Sequence, residues 1–464
     1  MIVHAARALL PEGWAENVVV RVVSGRIAEV RTDARKPSEP PKDAAVHRVD
    51  LLLPAPTNLH SHAFQRALSG LTEGRAPDGS RLVGRDSFWT WRRAMYRFLD
   101  VLTPDDIEGI SALAFLEMLE AGYGAVAEFH YLHHAPSGTP YADRAELSAR
   151  IVAAAETAGI GLTLLPVLYQ RGGCDGRALE GGQLRFGNDP DGYDALLSGA
   201  RTALAQVEDA RLGVAPHSLR AVDRAGLDLV CARGGGGPVH MHVAEQIAEV
   251  DEVAQALGAR PVQWVLDNLP VGSNWCLIHC TQMTDDETLR LARSGAVAGL
   301  CPITEASLGD GIFNGALWHD AGGAWGVGTD SNVEVSLWGE LRQLEYSQRL
   351  RDRSRAVLAT RDRSTGRVLL DAACAGGARA AARDSGALRA GLWADMVALR
   401  RLPEGVSGAQ DRCLDAAIFG AHGGSAIEEV WSAGRHVVSG GRHRARDQIV
   451  ARVRPILRRL EGVL

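Results

Sequence analysis

From residue 104 onward, short apolar runs alternate with Ala-, Leu-, Glu- and Arg-rich stretches, the pattern of strand–helix units. Strands are predicted at 125–129, 161–168, 212–215, 238–243, 275–279, 296–300 and 325–328, and helices between them include 104–121, 142–159 and 284–294. Taking the continuous run Leu51-Leu52-Leu53-Pro54 as the first strand brings the count to eight. Eight parallel β-α units over residues 52–386 predict a closed (β/α)8 TIM barrel, an α/β fold whose chemistry is built at the C-terminal ends of the strands.

The two ends of the chain follow a different grammar. Runs at 17–23 and 26–30 flank a Ser24-Gly25 turn and read as a hairpin. Strand patterns return at 393–399, 427–434 and 435–441. A small β-sandwich assembled from 1–51 and 387–445 is the expectation, closed by a helix over 446–464. The Pro-rich charged stretch 36–42 reads as a loop, and Gly234-Gly235-Gly236-Gly237 lacks the lysine of a phosphate loop and reads as a turn.

Composition narrows the partners. The formal net charge is -6, which excludes the basic footprint of a nucleic-acid binder. The start of the chain lacks a basic region followed by an apolar one, and no apolar run approaches membrane-spanning length, so a soluble cytoplasmic protein without membrane contact is expected. Seven scattered cysteines with no C-x-x-C pair fit reduced thiols. Lysine occurs only at Lys36 and Lys42, so nearly all positive charge is carried as arginine.

Polar residues capable of chemistry end four of the apolar runs. His60 and His62 stand two apart, and residues so spaced on a strand project to the same side. Such a pair is weak alone, but His242, His279 and Asp330 end three further runs. A hydrolytic zinc or iron site needs three or four N/O ligands and one open position, a count that His60, His62, His242 and Asp330 meet. Proton traffic then needs a carboxylate and an imidazole. Glu245 lies just past the strand that carries His242, placed over the site without being a ligand, and His279 is placed to polarise the substrate or hold the water. His130, His133 and His134 have no acidic or thiolate partner spaced to complete a second cluster; the last two read as loop residues, and His422, His436 and His443 as surface.

With these residues in place the chain resembles the amidohydrolase superfamily. The segment from Pro54 to His62 is similar to its first-strand metal motif, His242, His279 and Asp330 fall in the order of its fifth, sixth and eighth strands, and Gly391-Leu392-Trp393-Ala394-Asp395-Met396-Val397 resembles its return into the small sheet domain. Ala55 departs from the glycine common after the proline, which touches a turn rather than a ligand. Two-metal members of that superfamily carry a carboxylated lysine in the barrel, and no lysine follows Lys42, so the resemblance implies one divalent ion, zinc or iron, and the deaminase branch.

Within that branch, Asn58-Leu59-His60-Ser61-His62-Ala63-Phe64-Gln65, Ser87-Phe88-Trp89-Thr90-Trp91-Arg92, Ala127-Glu128-Phe129-His130-Tyr131 and Pro216-His217-Ser218-Leu219-Arg220 resemble the formimidoylglutamate deiminases. The resemblance implies hydrolysis of N-formimidoyl-L-glutamate to N-formyl-L-glutamate and ammonia, a step of histidine degradation, by a homodimer. It implies that Arg92 and Arg220 fork the carboxylates of this small dicarboxylate, and that Gln65, Tyr131 and His217 complete its hydrogen bonds, with Glu245, His279 and Asp330 catalytic. Two alternatives remain: a mononuclear deaminase or hydrolase of a purine, pyrimidine or triazine-like ring, and a noncatalytic scaffold on the same barrel.

Overall fold

The structure is a computed structural model that describes residues 1–33, 45–71, 95–400, 411–420 and 426–462. Its strands, in chain order, are β1 (Ile2–Leu10), β2 (Gly13–Val23), β3 (Arg26–Arg31), β4 (Val46–Pro54), β5 (Thr57–Ser61), β6 (Ala125–His130), β7 (Gly161–Leu168), β8 (Arg211–Leu212), β9 (Ala215–Pro216), β10 (Val239–Val243), β11 (Trp275–His279), β12 (Val297–Leu300), β13 (Ala324–Val327), β14 (Met396–Leu399), β15 (Ile427–Ser432), β16 (Arg435–Ser439) and β17 (Arg442–His443).

The middle of the chain is the barrel. Parallel pairing links β5-β6-β7-β8, with β9 continuing the fourth strand against β7, and a second parallel run joins β10-β11-β12-β13. Two isolated parallel bridges, Val214 to Val239 and Ser61 to Asp330, close the ring. The seam between first and last strands is tight. A side chain at Gly328 would meet the His60 backbone at 2.6 Å, and one at Gly376, on the covering helix Thr365–Ala380, would lie 1.8 Å from the Trp325 carbonyl. Glycine is required at both, because backbone packs there directly on backbone.

The first barrel strand corrects the sequence expectation. Leu51-Leu52-Leu53-Pro54 belongs to β4, which pairs with β1 and β14 outside the barrel, and the barrel begins with β5. The run is apolar throughout because β4 lies between two cores: Leu51 and Leu53 pack into the barrel's core, while Val49 and Leu52 pack into that of the small sheet. By contrast β5 is fully buried yet carries Thr57, Asn58, His60 and Ser61, so no apolar pattern announces it.

The small sheet runs β17-β16-β15-β14-β4-β1-β2-β3 and so combines both chain ends. It curls until Arg26 bridges Trp393, enclosing Val3, Val20, Ile27, Met396 and Trp431. The β1 strand escaped prediction, whereas the hairpin at Ser24-Gly25 forms as read. The final helix is Arg446–Leu460.

Barrel and sheet are joined by a buried ion cluster. Arg383 donates to Asp395 at 2.7 and 3.0 Å and to Asp209 at 3.0 Å, and Arg435 reaches Asp209 at 2.7 Å. Replacing Arg383 by Ala would leave Asp395, with 1 % of its side chain exposed, without its cation. A loss of about 3 to 5 kcal/mol in denaturant stability is expected, the range for breaking one partner out of a buried pair. Stability within ~1 kcal/mol of wild type would show that the cluster is not a structural clamp.

Candidate metal centre and cavity

Three imidazoles and one carboxylate meet at the barrel's C-terminal rim. His60 is the next-to-last residue of β5, His62 follows that strand, His242 sits on β10 and Asp330 lies just past β13. Asp330 Oδ1 is 3.3 Å from His60 Nε2 and 3.2 Å from His62 Nε2, and the Nε2 atoms of His60 and His242 are 3.1 Å apart. One donor atom from each of the four lies within 4.8 Å of all the others, and all four residues are buried. The His62 Nδ1–H donates to the Phe129 carbonyl at 2.9 Å and the His242 Nδ1–H to the His217 carbonyl at 3.2 Å. A carbonyl can only accept, so these bonds fix the tautomer that turns each Nε2 lone pair inward.

Burial keeps these groups in their ligand forms. It pushes His60 down to about 3 and His242 well below the ordinary histidine value, so both are neutral. Burial alone would raise Asp330, but the hydrogen bond with His60 and the surrounding imidazoles hold its carboxyl well below the usual range. Convergent neutral nitrogens with one carboxylate fit a single divalent cation such as zinc or iron.

The geometry depends on a buried polar seam that sequence reading missed. Asn58 accepts from the Thr329 N–H at 3.1 Å and donates to its hydroxyl at 2.7 Å, while the Asn332 amide donates to Ser61 Oγ and the carbonyls of His62 and Asp330. Asp330 itself has φ 46 and Asn332 φ 54. Left-handed backbone at non-glycine residues persists only where the surroundings over-determine it, as this network does.

Glu245 and His279 stand beside the four. His279 Nε2 is 3.8 Å from Glu245 Oε1 and 4.0 Å from Asp330 Oδ2, and its Nδ1 faces Glu305 Oε1 at 3.3 Å. Ala244 and His279 both have positive φ, turning the chain at the strand ends so that Glu245 and His279 face inward. Burial is the chief cause that pushes the Glu245 carboxyl up to about 7, in the range of a proton carrier at neutral pH. Burial would depress His279, but Glu245, Glu305 and Asp330 raise it to about 10. Glu305, just beyond β12, and Asp310, buried near Glu245 and His279, were not anticipated. An acid shortly after a predicted barrel strand was the one available signal for Glu305.

A cavity opens onto this centre, with about 570 Å³ of empty space once its solvent-open mouth is included. Gln65, Tyr131, His217 and Arg220 all line it, together with Tyr96, Tyr169 and Phe186. Gln65 donates to the Tyr131 hydroxyl at 2.6 Å, and the Tyr131 ring stands edge-on to His62. Arg220 is 8 % exposed, its Nε has no hydrogen-bond partner, and no carboxylate among the described residues forms an ion pair with it. Arg92 lies outside the described residues, as does His422. His133 and His134 are loop residues, but buried, each bonded to a backbone carbonyl. His443 is not on the surface: it is buried and bonded to the Ala158 carbonyl, because β17 tucks against the barrel helices.

The amidohydrolase family profile matches residues 51–437, and that of the N-terminal domain of formimidoylglutamate deiminase HutF matches residues 1–41. The chain belongs to the amidohydrolase family. This amidohydrolase is 46% identical over 450 residues to formimidoylglutamate deiminase of Pseudomonas aeruginosa, covering 96% of each chain. The crystal structure of an amidohydrolase from Brucella melitensis superposes with a TM-score of 0.92 at 47% identity, covering 99% of both chains. An adenosine deaminase from Xanthomonas campestris, solved with bound zinc, shares the fold at 21% identity with a TM-score of 0.80, covering 99% of this chain and 98% of that one. Among the described residues, no helix is long and apolar enough to cross a membrane.

Proposed function

We propose that this amidohydrolase hydrolyses N-formimidoyl-L-glutamate to N-formyl-L-glutamate and ammonia. The observation that carries the reading is Arg220, a buried cation with an unpartnered Nε on the wall of the cavity that also holds the four-ligand centre. A desolvated guanidinium with no ion pair to a carboxylate among the described residues is costly unless a ligand supplies one, and a dicarboxylate does. The 46% identity to the Pseudomonas aeruginosa deiminase supports the same substrate.

His60, His62, His242 and Asp330 would hold one divalent ion, zinc by preference for three imidazoles with a carboxylate. Bound there, the ion supplies Lewis acidity that brings the pKa of a water molecule to about 7. Glu245 would take a proton from the attacking water and give it to the departing nitrogen, so that ammonia leaves as the C–N bond breaks and the carbonyl C=O forms with loss of the hydroxyl proton. His279, with Nε2 toward the reacting centre, hydrogen-bonds the substrate or water, while Asp330 adds its second oxygen. Arg220, with Arg92, clamps carboxylates, and Gln65, Tyr131 and His217 orient the rest of the molecule. A homodimer working in the cytoplasm completes the proposal.

Ammonia release measured across formimidoylglutamate, guanine and cytosine tests it, and turnover of a ring in preference to the linear amidine would overturn it. Arg220→Ala is expected to lower kcat/KM about 10- to 10³-fold, since losing one partner of a desolvated charge pair costs roughly 2 to 5 kcal/mol. Arg220→Lys should not restore it, because an ammonium lacks the two-pronged contact. A substrate analogue lacking the carboxylate that faces Arg220 should harm wild type far more than the Ala variant. Equal losses in both would refute the clamp.

A further inference from the structure

We infer that Glu305 is a positioning residue for His279, holding the Nδ1–H of that imidazole so that Nε2 is the nitrogen presented to the reacting atoms. Glu305 is 4 % exposed and lies on the short helix Pro302–Leu308 that follows β12. Its Oε1 accepts the Cys301 N–H at 2.8 Å and stands 3.3 Å from His279 Nδ1. The carboxylate is thus tied back to the start of its own helix before it meets the ring. His279 in turn ends β11, beside β12, with φ 71.

A neutral imidazole has two interchangeable tautomers and an imidazolium carries both hydrogens, so a histidine in proton or hydrogen-bond chemistry needs a partner that holds its Nδ1–H in either state. On the cavity side Glu245 at 3.8 Å and Asp330 at 4.0 Å stand beyond hydrogen-bond distance of Nε2, and Asp310 lies in the same cluster, so no hydrogen bond among the described residues selects the tautomer there. The Nδ1 side does. A carboxylate oxygen only accepts, so Nδ1 keeps its hydrogen, and the same negative charge stabilises the imidazolium whenever Nε2 gains a proton. An acid oriented behind a histidine in this way is worth about 10⁴ in kcat in the serine-protease arrangement, where the amide replacement selects the wrong tautomer.

This inference rests on the proposed deiminase reaction for its kinetic test, and a wild-type protein that releases no ammonia from formimidoylglutamate would sink that reading and not this one. Glu305→Gln keeps the size and an oxygen for the Cys301 N–H while removing the charge. It is expected to lower kcat about 10²- to 10⁴-fold with KM within about threefold of wild type, and with metal content and melting temperature unchanged. Added to His279→Asn, the same change should cost less than about threefold more, because the group it positions is gone. A full additional loss on the His279→Asn background, or near-normal kcat in Glu305→Gln alone, would overturn the role. Should the variant fold poorly, ¹⁵N spectra of histidine-labelled wild-type holoenzyme decide the matter without substitution or substrate. His279 should carry its hydrogen on Nδ1, and an unprotonated Nδ1 would refute the inference.

Discussion

Glu245→Gln should retain the bound ion and the fold yet lose about 10²- to 10⁴-fold in kcat, the contribution of a positioned acid-base group. The reason lies in where Glu245 sits. It is 5 % exposed, outside the four-residue centre, and burial lifts its carboxyl to about 7, so in the proposed role it would take up and give back a proton at neutral pH with little driving force wasted. The amide is nearly the same size and still hydrogen-bonds but cannot take up or release a proton near neutral pH, so the loss should fall on kcat with KM little changed. Metal content by elemental analysis and single-turnover ammonia release check this together. Near-normal turnover with the ion bound would remove Glu245 from the proton path.

Removal of the divalent ion is the second large effect: ammonia release should fall to background and the melting temperature should drop. Without a cation, the Asp330 carboxylate and the inward-turned nitrogens of His60, His62 and His242 remain buried at hydrogen-bond distance from one another. An ion that binds only the folded chain stabilises it by RT ln(1 + [L]/Kd), about 2.7 kcal/mol at a hundredfold excess over Kd. Chelation followed by stoichiometric zinc should restore both signals, with saturation at one ion per chain. Two ions per chain at full occupancy would contradict the mononuclear reading, and an unchanged melting temperature after complete stripping would show that the centre does not grip a cation.

The arithmetic of strands and ligands was legible in sequence because periodicity and strand-end polarity are local properties. Seven of the eight barrel strands can be read directly, since parallel strands buried on both faces are continuous apolar runs. Their C-terminal ends then identify His242, next to last, and His279, last, without any knowledge of the fold, and Asp330 follows three residues past the eighth. The absence of lysine after Lys42 bears on metal number only through the resemblance to the amidohydrolases.

The rest was decided by contacts between segments far apart in the chain. An apolar run cannot say which of two cores it fills, so Leu51-Leu52-Leu53-Pro54 was placed in the wrong sheet, and β5, whose polar side chains are satisfied from 271 residues away, gave no strand signal. Asn58, Thr329 and Asn332 look like turn residues until the barrel closes and makes them its seam. Glu305 becomes a partner of His279 only because parallel pairing brings the ends of β11 and β12 together. Sequence determined which residue types stand at strand ends. Tertiary structure alone decided their distances, their burial and hence their proton affinities, because the electrostatic cost of a buried charge depends on what surrounds it in space and not on its neighbours in the chain.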